Sequence, residues 1–190
     1  MPTGRGKLND LLSAQEFESV FAKVYSLSKT ASFDIKTTEA PHYRRFFLQQ
    51  RVVERKFGVE ATSPHERAAD AIGRAPLGLN DGKGFVFISH KGEVFPSGFL
   101  LQAAGSIREE GLANIYRNSP LFRDLRDTSK LEGKCGSCEF KEICGGSRAR
   151  AYALTGNPHA EEPCCSYVPK GYIPPPHLKT ATALHVLQGA

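Results

Sequence analysis

The sequence predicts an α+β protein in two parts, and three observations carry that expectation. In the first third of the chain, apolar residues recur at helical spacing, alternate briefly, and then run into a second helical stretch. Further on, Phe85 and Phe87 face Val94 and Phe95 across His90-Lys91-Gly92-Glu93, the pattern of a β-hairpin. All five cysteines, Cys135, Cys138, Cys144, Cys164 and Cys165, then crowd into residues 133–169, and none occurs in the first 134 residues. A chain of 190 residues suffices for one domain, or for one with a small appendage.

Taken in order, residues 2–6 (PTGRG) read as a loop, because a phosphate cradle would need a preceding strand and a fuller glycine pattern. Ser13 and Glu16 have the spacing of a capping box, and Phe17, Val20, Phe21, Val24, Tyr25 and Leu27 follow as one apolar stripe for core packing. Residues 32–37 read as a short strand with Phe33 and Ile35 on one face. It breaks into TTEAPHYRR, where Pro41 opens a helix to about Lys56. Strand, polar loop and helix make a βα unit, and ligands bind at the carboxyl ends of such strands. Lys36, Thr37, Thr38, Glu39 and His42 are therefore site candidates, with helix capping and solvation as the plainer reading of Glu39 and His42.

Residues 63–72 suit a short helix, and the Gly- and Pro-rich residues 74–83 a linker and domain boundary. Beyond the hairpin, residues 112–117 read as helical. Asn118-Ser119-Pro120 caps and restarts the chain, and Leu121, Phe122 and Leu125 give the next helix its apolar face. The last residues are Pro-stiffened and then weakly helical, and no function is assigned to them.

The net charge of +5 is scattered and no basic-aromatic motif accompanies it, so nucleic-acid binding is not expected. No run of eighteen apolar residues suggests a transmembrane helix, and MPTGRGKLND lacks the apolar core of a signal peptide. A reducing, cytoplasmic setting follows as the expectation, and there metal binding outranks disulfides for clustered thiols.

Cys135 and Cys138 form a CxxC that reaches one centre across a turn eased by Gly136. Cys144 stands just before Gly145-Gly146, which let the backbone pack closely against a bulky group. A fourth ligand returns from beyond the Arg-rich stretch at Cys164 or Cys165. The residues alone leave zinc and an iron–sulfur cluster equally open, although zinc more often uses a second CxxC. Arg148 and Arg150 either neutralise an anionic centre and shift its potential or form an ordinary helix face.

The wording C-x2-C-x5-C-G-G-S-R-A-R-A-x-A-x-T-G, followed by E-P-x-C-x-Y-x-P, resembles the auxiliary-cluster domain (SPASM, or the shorter twitch) at the C-terminal end of radical S-adenosylmethionine enzymes. The resemblance runs upstream through KGEVFPSGFL and LANIYRNSPLFRDLRD to FDIKTTEAPHYRR, and its wording is most like heme b synthase-like, tetrapyrrole-modifying members. It implies that residues 1–74 are the C-terminal segment of a partial (β/α) barrel and 75–84 a linker. Residues 85–172 would be the auxiliary domain, with a β-hairpin, short helices and cysteine-rich loops, and 173–190 a tail. In the family the last ligand is the second residue after the proline. The resemblance therefore implies one [4Fe-4S] cluster on Cys135, Cys138, Cys144 and Cys165, with Cys164 a spare thiol, a buried small hydrophobe or an alternative ligand. Ser97 and Ser147 stand where two-cluster members carry cysteines, which implies a single cluster. The family also places Lys36, Glu39 and His42 toward a substrate cavity.

A radical S-adenosylmethionine enzyme holds its catalytic cluster on CxxxCxxC, and the chain has no such motif. The chain alone is thus not expected to cleave S-adenosylmethionine. It reads as the C-terminal portion of a longer enzyme, whether from a truncated gene, a fragment assembly or one half of a split protein whose core is a separate chain, with a tetrapyrrole or peptide as the substrate of the full enzyme. The other reading is a free-standing metal-binding module, zinc or iron–sulfur, that carries electrons or acts as a scaffold without catalysis.

Overall fold

The computed structural model describes residues 6–33, 35, 37–58 and 80–173. Two long helices come first, α1 (Ala14–Ser28) and α2 (His42–Lys56). The capping box starts α1: Ser13 Oγ accepts from Glu16 N–H at 3.3 Å, and the Glu16 carboxylate accepts from Ser13 N–H at 2.7 Å. Phe21 and Tyr25 then bury against Ala40 and Phe46, with Phe17, Tyr43 and Phe47 around them. A fully buried side chain of this size contributes roughly 2–3 kcal/mol, more than a typical cap, so packing decides where the pair sits. The expected stripe is narrower than its sequence suggests. Val20 and Leu27 are 40% and 51% exposed, because the described core against α1, built with α2, covers one flank.

The α+β mixture is completed by a three-stranded antiparallel meander in the order β1 (Phe87–Ile88), β2 (Glu93–Phe95), β3 (Gly105–Ser106). Phe87 pairs with Phe95 and Ile88 with Val94, so the hairpin forms around the expected turn, and β3 adds an edge that the sequence did not announce. Val94 drives into a core with Ile115 of α3 (Leu112–Asn118) and Phe122 of α4 (Pro120–Arg126). Pro120 occupies the first turn of α4, where its missing N–H has no intrahelical partner to lose.

The strand expected over residues 32–37 is not seen. Asp34 and Lys36 lie outside the described residues, and Phe33, Ile35 and Thr37 are not in a strand. A strand exists through its pairing, and the described strands all lie within residues 87–106 and pair with one another. The helix expected over 63–72, most of the linker and the tail also lie outside the described residues. Asn80 and Asp81, at the far end of that linker stretch, are built into the cysteine-bearing part. Asn80 Nδ2 donates to the carbonyls of Cys144 (3.0 Å) and Gly146 (2.7 Å), and the buried Asp81 accepts from Ala149 N–H at 2.9 Å.

Candidate metal centre

Cys135 sits on the single turn α5 (Gly133–Gly136), and the chain folds back at once: Cys138 N–H donates to the Cys135 carbonyl at 3.3 Å. Another turn follows, with Cys144 N–H on the Phe140 carbonyl at 2.9 Å. Gly145 and Gly146 then take two successive left-handed conformations, φ +64° and +68°. A Cβ on Gly146 would stand 2.5 Å from Arg148 Nη2 and 2.7 Å from Glu162 Cβ, so glycine is required here by space as well as by backbone. Ser147 caps α6 (Arg148–Thr155) by accepting from Arg150 N–H at 3.0 Å. Gly156, at φ +75°, ends that helix, and the chain returns through Glu162 to Cys164 and Cys165.

These turns put Cys135, Cys138, Cys144 and Cys165 on the wall of one cavity that is partly open to solvent. Cys164, 4% exposed, is not among the lining residues. Donors already point at the four sulfurs. Backbone N–H groups of Glu162, Phe140 and Gly146 reach Cys135 (3.2 Å), Cys138 (3.4 Å) and Cys144 (3.4 Å). Arg148 Nη2 lies 3.9 Å from Cys135 Sγ, and Arg45 Nη2 lies 4.0 Å from Cys165 Sγ. Burial pushes all four thiols above their ordinary range, Cys144 to about 12, so the protein alone disfavours the thiolates. A bound cationic centre reverses that balance and deprotonates coordinating thiols outright. Four thiols on one cavity, N–H donors on their sulfurs and neighbouring guanidinium groups fit a thiolate-ligated cluster. Among the described residues, no three His, Cys, Asp or Glu side chains converge on a single-ion site.

The arginine pair is buried rather than exposed, and its members divide the work. Arg148 (2% exposed) donates to Cys135 and, at 2.8 Å each, to the carbonyls of Pro158 and Ala160. Arg150 (3%) instead pairs with Glu162 at 2.8 Å and takes the Glu39 carbonyl at 2.6 Å. Glu162 itself was not singled out from sequence. Its carboxylate also accepts from Ser147 N–H (2.7 Å) and Cys164 N–H (3.0 Å), joining the CGGSR loop to the returning loop. Burial alone would raise its carboxyl, yet Arg150 holds it below the usual range. The two serines are engaged as well: Ser97 Oγ accepts from Phe99 and Leu100 N–H, and Ser147 Oγ donates to Glu39 at 2.8 Å.

The three substrate-cavity candidates separate. Lys36 lies outside the described residues. Glu39 takes a positive φ of 54°, pinned by Ser147 and Arg150, and burial lifts its carboxyl to about 7; it is not among the cavity-lining residues. His42, wholly buried, does line the cavity, and burial holds it down to about 4. Beside it on α2, Arg45 went unremarked in sequence. It is 4% exposed, ion-paired to Glu18 of α1, and stacked 5.4 Å over the Tyr167 ring. Arg44 donates to the Ile143 carbonyl at 3.1 Å. Helix α2, through His42 and Arg45, therefore supplies part of the wall of the cysteine cavity.

No family model matches the chain. It is 43% identical over 169 residues to an AdoMet-dependent heme synthase of Methanosarcina barkeri, a match spanning 89% of this chain and 46% of the relative. The AdoMet-dependent heme synthase of Nitratidesulfovibrio vulgaris is 44% identical over 176 residues, 92% of this chain and again 46% of the relative. A PqqA peptide cyclase of Granulibacter bethesdensis is 34% identical over 94 residues, 47% of this chain. These are radical S-adenosylmethionine enzymes with SPASM domains, and the chain is homologous to their C-terminal part. The chain spans about half the length of these two heme synthases.

Proposed function

We propose that this chain forms the auxiliary [4Fe-4S] centre of a radical S-adenosylmethionine enzyme that modifies a tetrapyrrole. The observation that carries the reading is the cavity wall: the four cysteines that the motif resemblance marks as ligands line it, and Cys164 does not. Cys135, Cys138, Cys144 and Cys165 would hold the cluster, with Arg148 and Arg45 offsetting its negative charge. When bound, such a fully thiolate-ligated cluster would supply one-electron transfer. The residues of the chain exclude bulk water on the α2 side, donate N–H groups to the ligand sulfurs and fix the returning loop through Glu162. A tetrapyrrole is favoured over a peptide because the heme synthases match across 89–92% of the chain and the peptide cyclase across 47%. Cleavage of S-adenosylmethionine requires a polypeptide segment carrying CxxxCxxC, which this sequence lacks. A reducing compartment such as the cytoplasm is part of the proposal, and no helix among the described residues is long and apolar enough to cross a membrane.

Anaerobic reconstitution, with iron, sulfide and zinc counted per chain beside the visible spectrum, tests the reading. About four irons and four sulfides are expected in the native protein and in Cys164→Ala, and a loss in Cys135→Ala and Cys165→Ala. One tightly held zinc with no iron would replace the cluster with a structural metal. Retention of the full cluster in Cys165→Ala together with its loss in Cys164→Ala would move the fourth ligand.

A further inference from the structure

His42 opens α2 with its imidazole fully buried, yet neither ring nitrogen has a hydrogen-bond partner among the described residues. Polar side chains in a dry interior are nearly always paired, because an unpaired donor or acceptor forfeits its hydration for nothing. The ring is also held in place. Phe17 and Phe21 meet it with centroids at 4.9 and 4.8 Å, inclined at 60° and 71°. The nearby charged groups that act on it are already engaged: Glu162 by Arg150, and Arg45 by Glu18 and Gln49. What His42 does border is the cavity lined by the four cysteines.

Resting on the cluster reading of that cavity, the geometry points to His42 as a hydrogen-bond donor to the sulfur atoms of the bound cluster, a positioning group that sets its reduction potential. It is neither a substrate-binding group nor an iron ligand. Four thiolates already account for the four irons, and a neutral imidazole carries one N–H to give. A hydrogen bond to sulfur strengthens as the cluster gains negative charge, so it favours the reduced form and raises the potential.

The test is the midpoint potential of the reconstituted native protein, His42→Phe and His42→Gln, with iron and sulfide counted for each. His42→Phe keeps an aromatic ring between Phe17 and Phe21 but has no donor; His42→Gln keeps an N–H. The expected result is an undiminished cluster in all three, and a redox equilibrium shifted about tenfold toward the oxidised form in His42→Phe. For a one-electron couple that is about 59 mV downward. His42→Gln should recover at least half of the shift. An unchanged potential in His42→Phe overturns the inference, as does loss of one iron per chain in both variants, which would make His42 a ligand. Should His42→Phe not fold, pulsed EPR of the reduced native protein grown with nitrogen-15 histidine reads the same contact. A weak imidazole coupling supports it, and either no coupling or the strong coupling of direct coordination sinks it. If the native protein binds no iron and sulfide at all, the cluster reading fails and this inference with it. A cluster indifferent to His42 overturns this inference alone.

Discussion

Glu162→Ala is expected to be the most damaging single change around the cavity. Glu162 and Arg150 form an ion pair whose side chains are 1% and 3% exposed, so water screens it little. Truncation leaves the Arg150 guanidinium buried without a charged hydrogen-bond partner, keeping the Glu39 carbonyl and the Phe17 ring, and breaking a buried pair from one side costs about 3–5 kcal/mol. Ser147 N–H and Cys164 N–H lose their acceptor in the same stroke, at about 1–3 kcal/mol each when buried, although such costs do not add in full. A combined loss of roughly 5 kcal/mol is comparable with the whole stability of a small domain. Glu162→Gln keeps an acceptor oxygen and should lose roughly half as much. Glu162→Leu combined with Arg150→Met removes both charges and should recover much of the deficit. Anaerobic urea unfolding of the native protein, both single variants of that pair and the double variant gives the coupling energy directly. A Glu162→Ala protein within about 1 kcal/mol of native, or a coupling near zero, would refute the claim that this pair clamps the returning loop.

Gly146→Ala should cost about 2 kcal/mol or more and lower the iron bound per chain, since its Cβ must displace Arg148 and the Glu162 side chain at a positive φ; unfolding and iron analysis of one preparation read both. Asp81→Ala leaves Ala149 N–H buried without an acceptor, and a loss of about 1–3 kcal/mol in urea unfolding is expected, largely recovered by Asp81→Asn. Glu39 is raised to about 7 by burial and by Asp81, so the fold prefers its protonated form: that stability is complete below the ordinary 4.5 and lost as pH rises through about 7. The loss is at most about 3 kcal/mol, less for a carboxyl that is only partly buried. Because His42, held down to about 4, shifts stability oppositely in an overlapping range, the native-minus-Glu39→Gln difference across pH 4.5–7 is the quantity to measure.

Local signals carried much of this fold. Ser13 and Glu16 announced α1, Pro41 and Pro120 the starts of α2 and α4, and the turn before Val94 the hairpin, because each acts on its own few neighbours. The CxxC, the following Cys144 and the glycine pair were equally local, and the structure brings their sulfurs to one cavity with Cys165. What the sequence concealed is tertiary. Glu162 reads as an ordinary acidic residue beside Glu161 until Arg150, twelve positions earlier, is seen against it. Nothing local to Arg45 marks it, because Cys165, whose sulfur it stands beside, is 120 positions away. Val20 and Leu27 fitted the helical period but not the burial, since the width of a buried stripe depends on how many neighbours cover it.

The division into a helical part and a cysteine part therefore cuts across the site. Ser147, at the start of α6, holds the Glu39 carboxylate; Arg150 takes the Glu39 carbonyl and stacks 5.0 Å over Phe17; Arg44 and Arg45 reach the loops of Cys144 and Cys165. A centre held by the cysteine loops alone would be indifferent to α1 and α2. Here the sulfur of Cys165 faces a guanidinium that is itself held by Glu18 of α1. Anything that binds the folded arrangement and not the unfolded one stabilises every contact on which that arrangement depends. If the proposed cluster binds here, its loading and the seating of α2 are two readings of one equilibrium, so Glu18→Ala, remote from any sulfur, should weaken retention of the cluster as well as the packing of the helices. Helix packing weakened without faster iron loss would separate the two.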